Sequence, residues 1–317
     1  MCGIFGFYLN RSLSDIDVKN GKKYLDLLSH RGPDNTGFFI QKDIGLFIGH
    51  KRLSIIDVTD KSNQPMQIGD ETIAYNGEIY NYIEIKKELL KSGEKFSSDG
   101  DTEILLRSWK KWGIKSLDKL DGMYSFALFS NNRINLITDP FGEKPLYYVK
   151  NNDGLYFSSE PKPIANMLKL RKIMTNDQVI RFMILGHLDH EDTGYEGLIK
   201  IPPATHVSSG KNFKIIKNEY WKTEKIVKES DLKKSLSNND LDDITNILID
   251  SIKFRLRSDV PKVLFLSSGV DSSLVASIIS KEIKDDILSL TVGFNNNFVN
   301  DESDKSKSIA KKLNLQH

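Results

Sequence analysis

The sequence predicts an α+β domain whose antiparallel strands are covered by helices, followed by a stretch of α/β character. Three observations predict it. Short apolar runs recur from residue 3 to about residue 158, separated by Gly, Asn and Asp at spacings that suit antiparallel pairing. Two segments among them carry apolar residues at helical spacing. After a charged stretch the pattern changes to alternating helix and strand, which favours a parallel sheet with crossover helices.

In chain order, the expected strands are Gly3–Leu9, Thr36–Ile40, Gly45–His50, Thr72–Tyr75, Ser125–Phe129, Ile134–Asp139, Leu146–Lys150 and Gly154–Ser158. Tyr82–Lys91 places Ile85, Leu89 and Leu90 on one helical side, and Thr102–Trp112 does the same with Ile104, Leu105 and Trp109. These helices are expected to cover one face of the sheet. Residues 222–238 are polar and charged and read as a linker. Beyond it, a helix over Asp240–Arg257 groups Leu241, Ile244, Ile247, Leu248 and Ile252. Strand Lys262–Leu266, helix Ser272–Glu282, strand Ile287–Val292 and helix Asp304–Leu313 follow. There is no internal repeat or low-complexity tract.

Composition excludes several classes. With 45 Lys+Arg against 43 Asp+Glu among 317 residues, the net charge is +2, and nothing in that balance marks a nucleic-acid or membrane binder. A content of 39% hydrophobic and 28% charged residues fits a globular protein, and the length suggests roughly two domains at ~150 residues each. The longest apolar run, around Ile4 to Leu9, is broken by glycines and falls far short of the ~20 residues that span a bilayer. A cytoplasmic location is therefore expected. The single cysteine rules out an intrachain disulfide and a zinc site built on several thiolates.

That cysteine is residue 2. It reads either as a small buried apolar side chain or as a nucleophile. Removal of Met1 would give Cys2 a thiol and a free α-amino group, and an amine titrating near ~8 is a usable general base. Three further segments carry suitable polar groups. His30-Arg31-Gly32-Pro33-Asp34 offers a guanidinium that can fork onto a carboxylate. In Tyr75-Asn76-Gly77-Glu78, the Asn-Gly pair is either a hairpin turn or a carboxamide and a backbone N–H presented together as an oxyanion hole. Asp101 either caps the helix that follows or serves a site.

Taken in order, these segments resemble the N-terminal nucleophile type of glutamine amidotransferase domain, specifically the asparagine synthetase family. The resemblance spans nearly all of residues 2–221. It runs through Met-Cys-Gly-Ile-Phe-Gly, His-Arg-Gly-Pro-Asp, His50 with Arg52-Leu53-Ser54-Ile55-Ile56-Asp57, Gln64-Pro65-Met66, Tyr75 to Asn81, Asp101-Thr102-Glu103 and Phe141 to Tyr148. It implies an N-terminal nucleophile hydrolase sandwich over residues 1–221. Cys2 would attack the side-chain carbonyl of glutamine to form a thioester, with Asn76 and the Gly77 N–H holding the oxyanion. Arg31 would clamp the α-carboxylate, Glu78 and Asp101 would receive the α-ammonium, and backbone near Leu53 and Ile56 would line the pocket. Thr138-Asp139-Pro140 departs from the family's usual Arg-Asp.

Strand Lys262–Leu266 runs into Ser267-Ser268-Gly269-Val270-Asp271-Ser272, which reads either as a capped helix after a tight turn or as an anion cradle. It is not a Walker loop, since no Lys follows, and no Gly-x-Gly-x-x-Gly occurs. The segment is similar to the pyrophosphate loop of ATP pyrophosphatases, with Ser268 in place of the usual first glycine. By that resemblance, residues 239–317 are an incomplete synthetase domain that uses ATP and Mg²⁺. Ser267, Gly269, Asp271 and Ser272 would meet pyrophosphate, and backbone near Leu266 and Val292 would meet adenosine. The implied function is transfer of ammonia from glutamine to an adenylated carboxylate, aspartate becoming asparagine. Alternatives are another acceptor, a glutaminase-only fragment, or a silent glutamine-binding subunit. Assembly is left open between a homodimer and a partner supplying the rest of the synthetase part. No metal site is expected, and His187, His190, Glu191 and Asp192 read as surface residues.

Overall fold

The computed structural model describes residues 1–188, 191–223, 237–294 and 301–317. The chain divides into two compact units, Met1–Glu229 and Ser230–His317. Most of the expected linker, residues 224–236, lies outside the described residues.

In the first unit the strands are β1 (Gly3–Leu9), β2 (Asn35–Gln41), β3 (Leu46–Arg52), β4 (Met66–Ile68), β5 (Glu71–Ile79), β6 (Gly122–Ser130), β7 (Arg133–Thr138), β8 (Tyr147–Lys150), β9 (Gly154–Ser158), β10 (Ile199–Lys200), β11 (Thr205–Ser209) and β12 (Ile216–Glu219). Its helices are α1 (Asp15–Leu25), α2 (Tyr82–Lys91), α3 (Asp101–Trp112), α4 (Pro161–Leu168) and α5 (Asn176–Leu185). One six-stranded sheet has the order β10-β8-β9-β1-β3-β2 and the other β12-β11-β7-β6-β5-β4, and their named strand pairs are antiparallel. Each expected strand is present, several of them longer than expected.

Alternation sorts the side chains into layers. On β1 and β3, Ile4, Tyr8, Leu46 and Ile48 face the second sheet and pack with Ala74 and Ala127 from β5 and β6. Tyr8 meets Phe129 edge to face, with ring centroids 5.7 Å apart. On the opposite faces, Phe5, Phe7 and Phe47 pack with Leu25 and Ile164 of α1 and α4, and Ile73 and Tyr75 pack with Leu89 and Ile104 of α2 and α3. The result is helix, sheet, sheet, helix. Helix α1 escapes a periodicity search because its face is weakly apolar. It is defined by its start instead: Ser14 Oγ accepts from the Asp17 N–H at 3.2 Å while the Asp17 carboxylate accepts from the Ser14 N–H at 2.8 Å, a reciprocal capping box.

The second unit contains α6 (Asn238–Arg255), β13 (Val263–Phe265), α7 (Val270–Ile278), β14 (Leu288–Leu290) and α8 (Ser303–Lys312). β13 and β14 pair in parallel, Val263 opposite Leu288, with helices between and around them. Its core is small, built on Leu266, Ala276 and Ala310. Leu241, Ile244 and Ile247 on α6, together with Phe265 and Val292, are exposed. Among the described residues no helix is long and apolar enough to cross a membrane.

Candidate active site

A cavity of about 110 Å³ opens among residues from both sheets, including Cys2, Arg52, Leu53, Asn76, Glu78, Asp101 and Lys144. Strand parity puts them there. Even-numbered residues of β1, β3 and β5 face between the sheets, so Cys2 at the entry to β1, Arg52 at the end of β3, and Asn76 and Glu78 near the end of β5 converge.

Cys2 Sγ sits against the backbone of Leu53, accepting from its N–H at 3.4 Å and donating to its carbonyl at 3.6 Å. Burial pushes the thiol's pKa up; the Leu53 hydrogen bond and the neighbouring N-terminal amine act against this. That amine belongs to Met1 and is itself shifted down, chiefly by burial. Among the described residues, no histidine lines the cavity. His50, fully buried with its Nε2 donating to the Tyr75 carbonyl at 2.9 Å, is pushed down to about 4 by burial and is neutral.

Asn76 lies within β5, opposite Ser125, so the Asn-Gly pair is strand and not hairpin. Tertiary pairing overrides the local turn preference. Asn76 is buried, and neither its Nδ2 nor its Oδ1 has a hydrogen-bond partner among the described residues. Leaving a buried carboxamide unpaired costs about 1–3 kcal/mol per group, so such a side chain facing a cavity points to a ligand. Gly77 is required for a reason different from the one its sequence suggests: a Cβ there would lie 2.1 Å from the Met123 carbonyl of β6.

Glu78 and Asp101 share the cavity. Burial first and then Asp101 push Glu78 up to about 7, with Lys144 acting in the opposite direction. Asp101 is pushed up to about 6 by burial, against hydrogen bonds from the Ile79 N–H and the Tyr75 hydroxyl. Gly100 is the N-cap of α3, so capping is not what Asp101 does. Leu53 and Ile56 both line the cavity.

The expected carboxylate clamp, Arg31, stands apart from the groups that line the cavity. Its Nε donates to the Cys2 carbonyl at 2.8 Å, its Nη1 to Glu160 at 3.0 Å and its Nη2 to Met1 Sδ at 3.8 Å, so its charge is already matched. Arg52 is the cavity's arginine. It is buried, and its guanidinium donates to the carbonyls of Asp57 and Thr59 and to Asn63 Oδ1. It makes no ion pair among the described residues. A buried cation without an anion is costly unless a ligand supplies one. The signal that could have found it is the alternation Leu46, Ile48, His50, Arg52 along one face of β3.

In the second unit, a cavity of about 370 Å³ is lined by Leu266, Ser267, Thr291, Val292 and Glu302, among others. Gly269, Asp271 and Ser272 do not line it. The loop is tied to itself: Ser267 Oγ and Ser272 Oγ are 2.8 Å apart, and the Gly269 N–H donates to Ser267 Oγ at 3.2 Å. The Ser268 N–H donates to Glu302 at 3.2 Å, so a carboxylate takes one amide of the expected anion cradle. Gly269 is the N-cap of α7, and Asp271 is exposed. His187 Nδ1 donates to the Leu188 carbonyl of its own loop at 2.9 Å, and His190 lies outside the described residues. Among the described residues no three His, Cys, Asp or Glu side chains converge on a metal position.

Residues 1–221 match the family model described as a glutamine amidotransferase domain, and residues 243–317 match that of asparagine synthase. The chain belongs to the glutamine-hydrolysing asparagine synthetase family. Over its whole length it is 32% identical to asparagine synthetase [glutamine-hydrolyzing] 1 of Bacillus subtilis, covering 49% of that protein. It is also 32% identical to amidase chry2 of Gibberella zeae, over 90% of this chain and 43% of the relative. The chain thus spans about half the length of these curated relatives of the family. A solved structure of glutamine phosphoribosylpyrophosphate amidotransferase from Bacillus subtilis, complexed with ADP and GMP, superposes with a TM-score of 0.52 at 17% identity, covering 94% of this chain and 67% of that one. It shares the N-terminal nucleophile sandwich.

Proposed function

We propose that this chain hydrolyses glutamine at Cys2 and that its ammonia serves an ATP-dependent amidation. The observation that carries the reading is the pairing, in one cavity, of a thiol held by the Leu53 backbone with a buried Asn76 carboxamide that has no hydrogen-bond partner among the described residues. Loss of Met1 would leave the α-amine on Cys2, where it takes the thiol proton as the sulfur attacks the γ-carbonyl of glutamine. The carbonyl oxygen, now an oxyanion, accepts from Asn76 Nδ2 and the Gly77 N–H. The amine returns its proton to the leaving nitrogen, and ammonia departs from a thioester that water cleaves to glutamate.

Substrate recognition divides by charge. Arg52, buried and without an ion pair among the described residues, takes the α-carboxylate, and the ionised forms of Glu78 and Asp101 take the α-ammonium. Free glutamine is thereby read at both of its charged ends. Lys144 enters the same cavity and keeps Glu78 from rising further.

The match of residues 243–317 to asparagine synthase and the names of the relatives support ATP use and aspartate as the acceptor. Ser267, with backbone at Leu266 and Val292, lines the cavity that would take the nucleotide; Gly269, Asp271 and Ser272 would meet pyrophosphate from the loop beside it. The described residues supply no metal-ligand set, so no step is assigned to Mg²⁺. The test is glutamate release from glutamine by the purified chain and by Cys2→Ala. Release by the first and none by the second is the expected result, and equal release by both would remove Cys2 from the mechanism.

A further inference from the structure

We propose that Glu160 is a positioning residue for the nucleophile, acting through Arg31 on the backbone of Cys2. The proposal rests on the glutaminase reading and adds to it a residue that lies outside the cavity.

Glu160 follows β9 and is the N-cap of α4, its backbone extended at φ −137° and ψ 153° with Pro161 fixing the first helical position. Its side chain does not cap the helix. It reaches instead to Arg31, 129 residues away in sequence, where its Oε1 accepts from Nη1 at 3.0 Å and also meets His30 Nε2 at 2.9 Å. The other edge of the same guanidinium donates from Nε to the Cys2 carbonyl at 2.8 Å. One planar group therefore spans from a carboxylate to the peptide that carries the thiol. The neighbouring residue completes the grip. Ser159 Oγ accepts from the Ile4 N–H at 3.0 Å, and the Ser159 N–H donates to the Ile4 carbonyl at 2.8 Å. Residue 159 thus holds residue 4 directly, and residue 160 holds residue 2 through Arg31, continuing the β1–β9 pairing past its last register pair, Phe5 with Ser158.

The brace matters because Cys2 lies before the first residue of β1, where strand pairing no longer aims it. Arg31 is almost fully buried and Glu160 about three-quarters so, which keeps water from competing for the bridge. Burial works to raise the Glu160 carboxyl, but hydrogen bonds from His30 and Arg31 more than offset it and hold the group below its ordinary range. Once Met1, whose Sδ meets Nη2 at 3.8 Å, is removed, the guanidinium without the carboxylate has no second anchor, and the Cys2 carbonyl can turn away. Sγ then leaves the Leu53 N–H that supports its thiolate form. Glu160 touches neither substrate nor thiol, so substrate affinity should be spared while the rate falls.

The test compares wild type, Glu160→Ala and Glu160→Gln, each normalised to folded protein by thermal melting. In Glu160→Ala, kcat for glutamate release should drop on the order of 10²-fold, the cost of a small misplacement of a reacting group, with KM held within about twofold. Glu160→Gln keeps an oxygen for Arg31 and should recover most of the rate. A second readout needs no glutamine: because Cys2 is the only cysteine, alkylation by iodoacetamide reports its thiolate alone. Alkylation should slow in Glu160→Ala. The N-terminal amine, Arg52 and Asp101, the charged groups that also act on Cys2, are unchanged in these variants. Wild-type values of both kcat and alkylation in Glu160→Ala overturn the proposal, as does a rise in KM with kcat intact. If wild type releases no more glutamate than Cys2→Ala, the glutaminase reading fails and the alkylation rates alone decide the role of Glu160.

Discussion

The Tyr75 hydroxyl donates to the Asp101 carboxylate at 2.8 Å, joining the middle of β5 to the first turn of α3. The Ile79 N–H donates to the same oxygen at 3.0 Å. One carboxylate oxygen thus fixes the helix to the strand that also presents Asn76 and Glu78, so the groups proposed for the oxyanion and the ammonium share a single rigid support.

Asn76 gives the first prediction. Asn76→Ala should lower kcat for glutamine hydrolysis by about 10²–10³-fold, the usual loss of one oxyanion donor. Because both polar atoms of the Asn76 side chain lack hydrogen-bond partners among the described residues, the substitution leaves no orphaned group behind there and should not lower the melting temperature. A steady-state assay beside a melting curve checks both halves. A large fall in stability with kcat intact would assign Asn76 to packing.

The two arginines separate by kinetics. Arg52→Met should reduce kcat/KM for glutamine by about 10- to 100-fold, mostly through KM, because a charge-assisted bond contributes about 1.5–3 kcal/mol. Arg31→Met should act mainly on kcat, since Arg31 contacts the Cys2 carbonyl and not the cavity. The reverse pattern would restore Arg31 as the carboxylate clamp.

Acid and base limbs follow from Glu78 and Asp101. Both have folded pKa values raised above their unfolded ones, to about 7 and about 6. Their contribution to stability is therefore fully present below the unfolded values near 4 and lost as pH rises through the folded ones. Glu78→Gln removes that loss, so its melting temperature should gain on wild type between pH about 5 and about 8 in the absence of glutamine. Binding the α-ammonium needs the ionised carboxylates, so wild-type KM should rise as pH falls below about 7. A melting-temperature difference that does not vary with pH would mean Glu78 is already ionised in the free protein.

The strand ladder was legible because each strand is a short apolar run with its own boundary residues. The capping box of α1 was not, since that helix has a weakly apolar face, and α4 was not, since it is only 8 residues long. The cavity was legible wherever a side chain's direction follows from strand parity or from its own motif, as for Cys2, Asn76, Glu78 and Asp101. Arg31 lies outside any strand, and its side chain is tied to Glu160, which no local rule links to it. Arg52 stands in the motif Arg52-Leu53-Ser54, and the alternation along β3 turns it inward. Similarly, the Asn-Gly signal for a turn yields to nine residues of strand pairing, a long-range effect absent from the dipeptide.

Cys2 enters from one sheet and Asn76 from the other, with the layer of Tyr8, Ala74, Ala127 and Phe129 between those sheets setting how far apart they stand. The proposed reaction centre is in effect a caliper across the sandwich. A methyl group added to that layer, far from any reacting atom, would widen the jaws and silence the chemistry in a protein that still melts cooperatively.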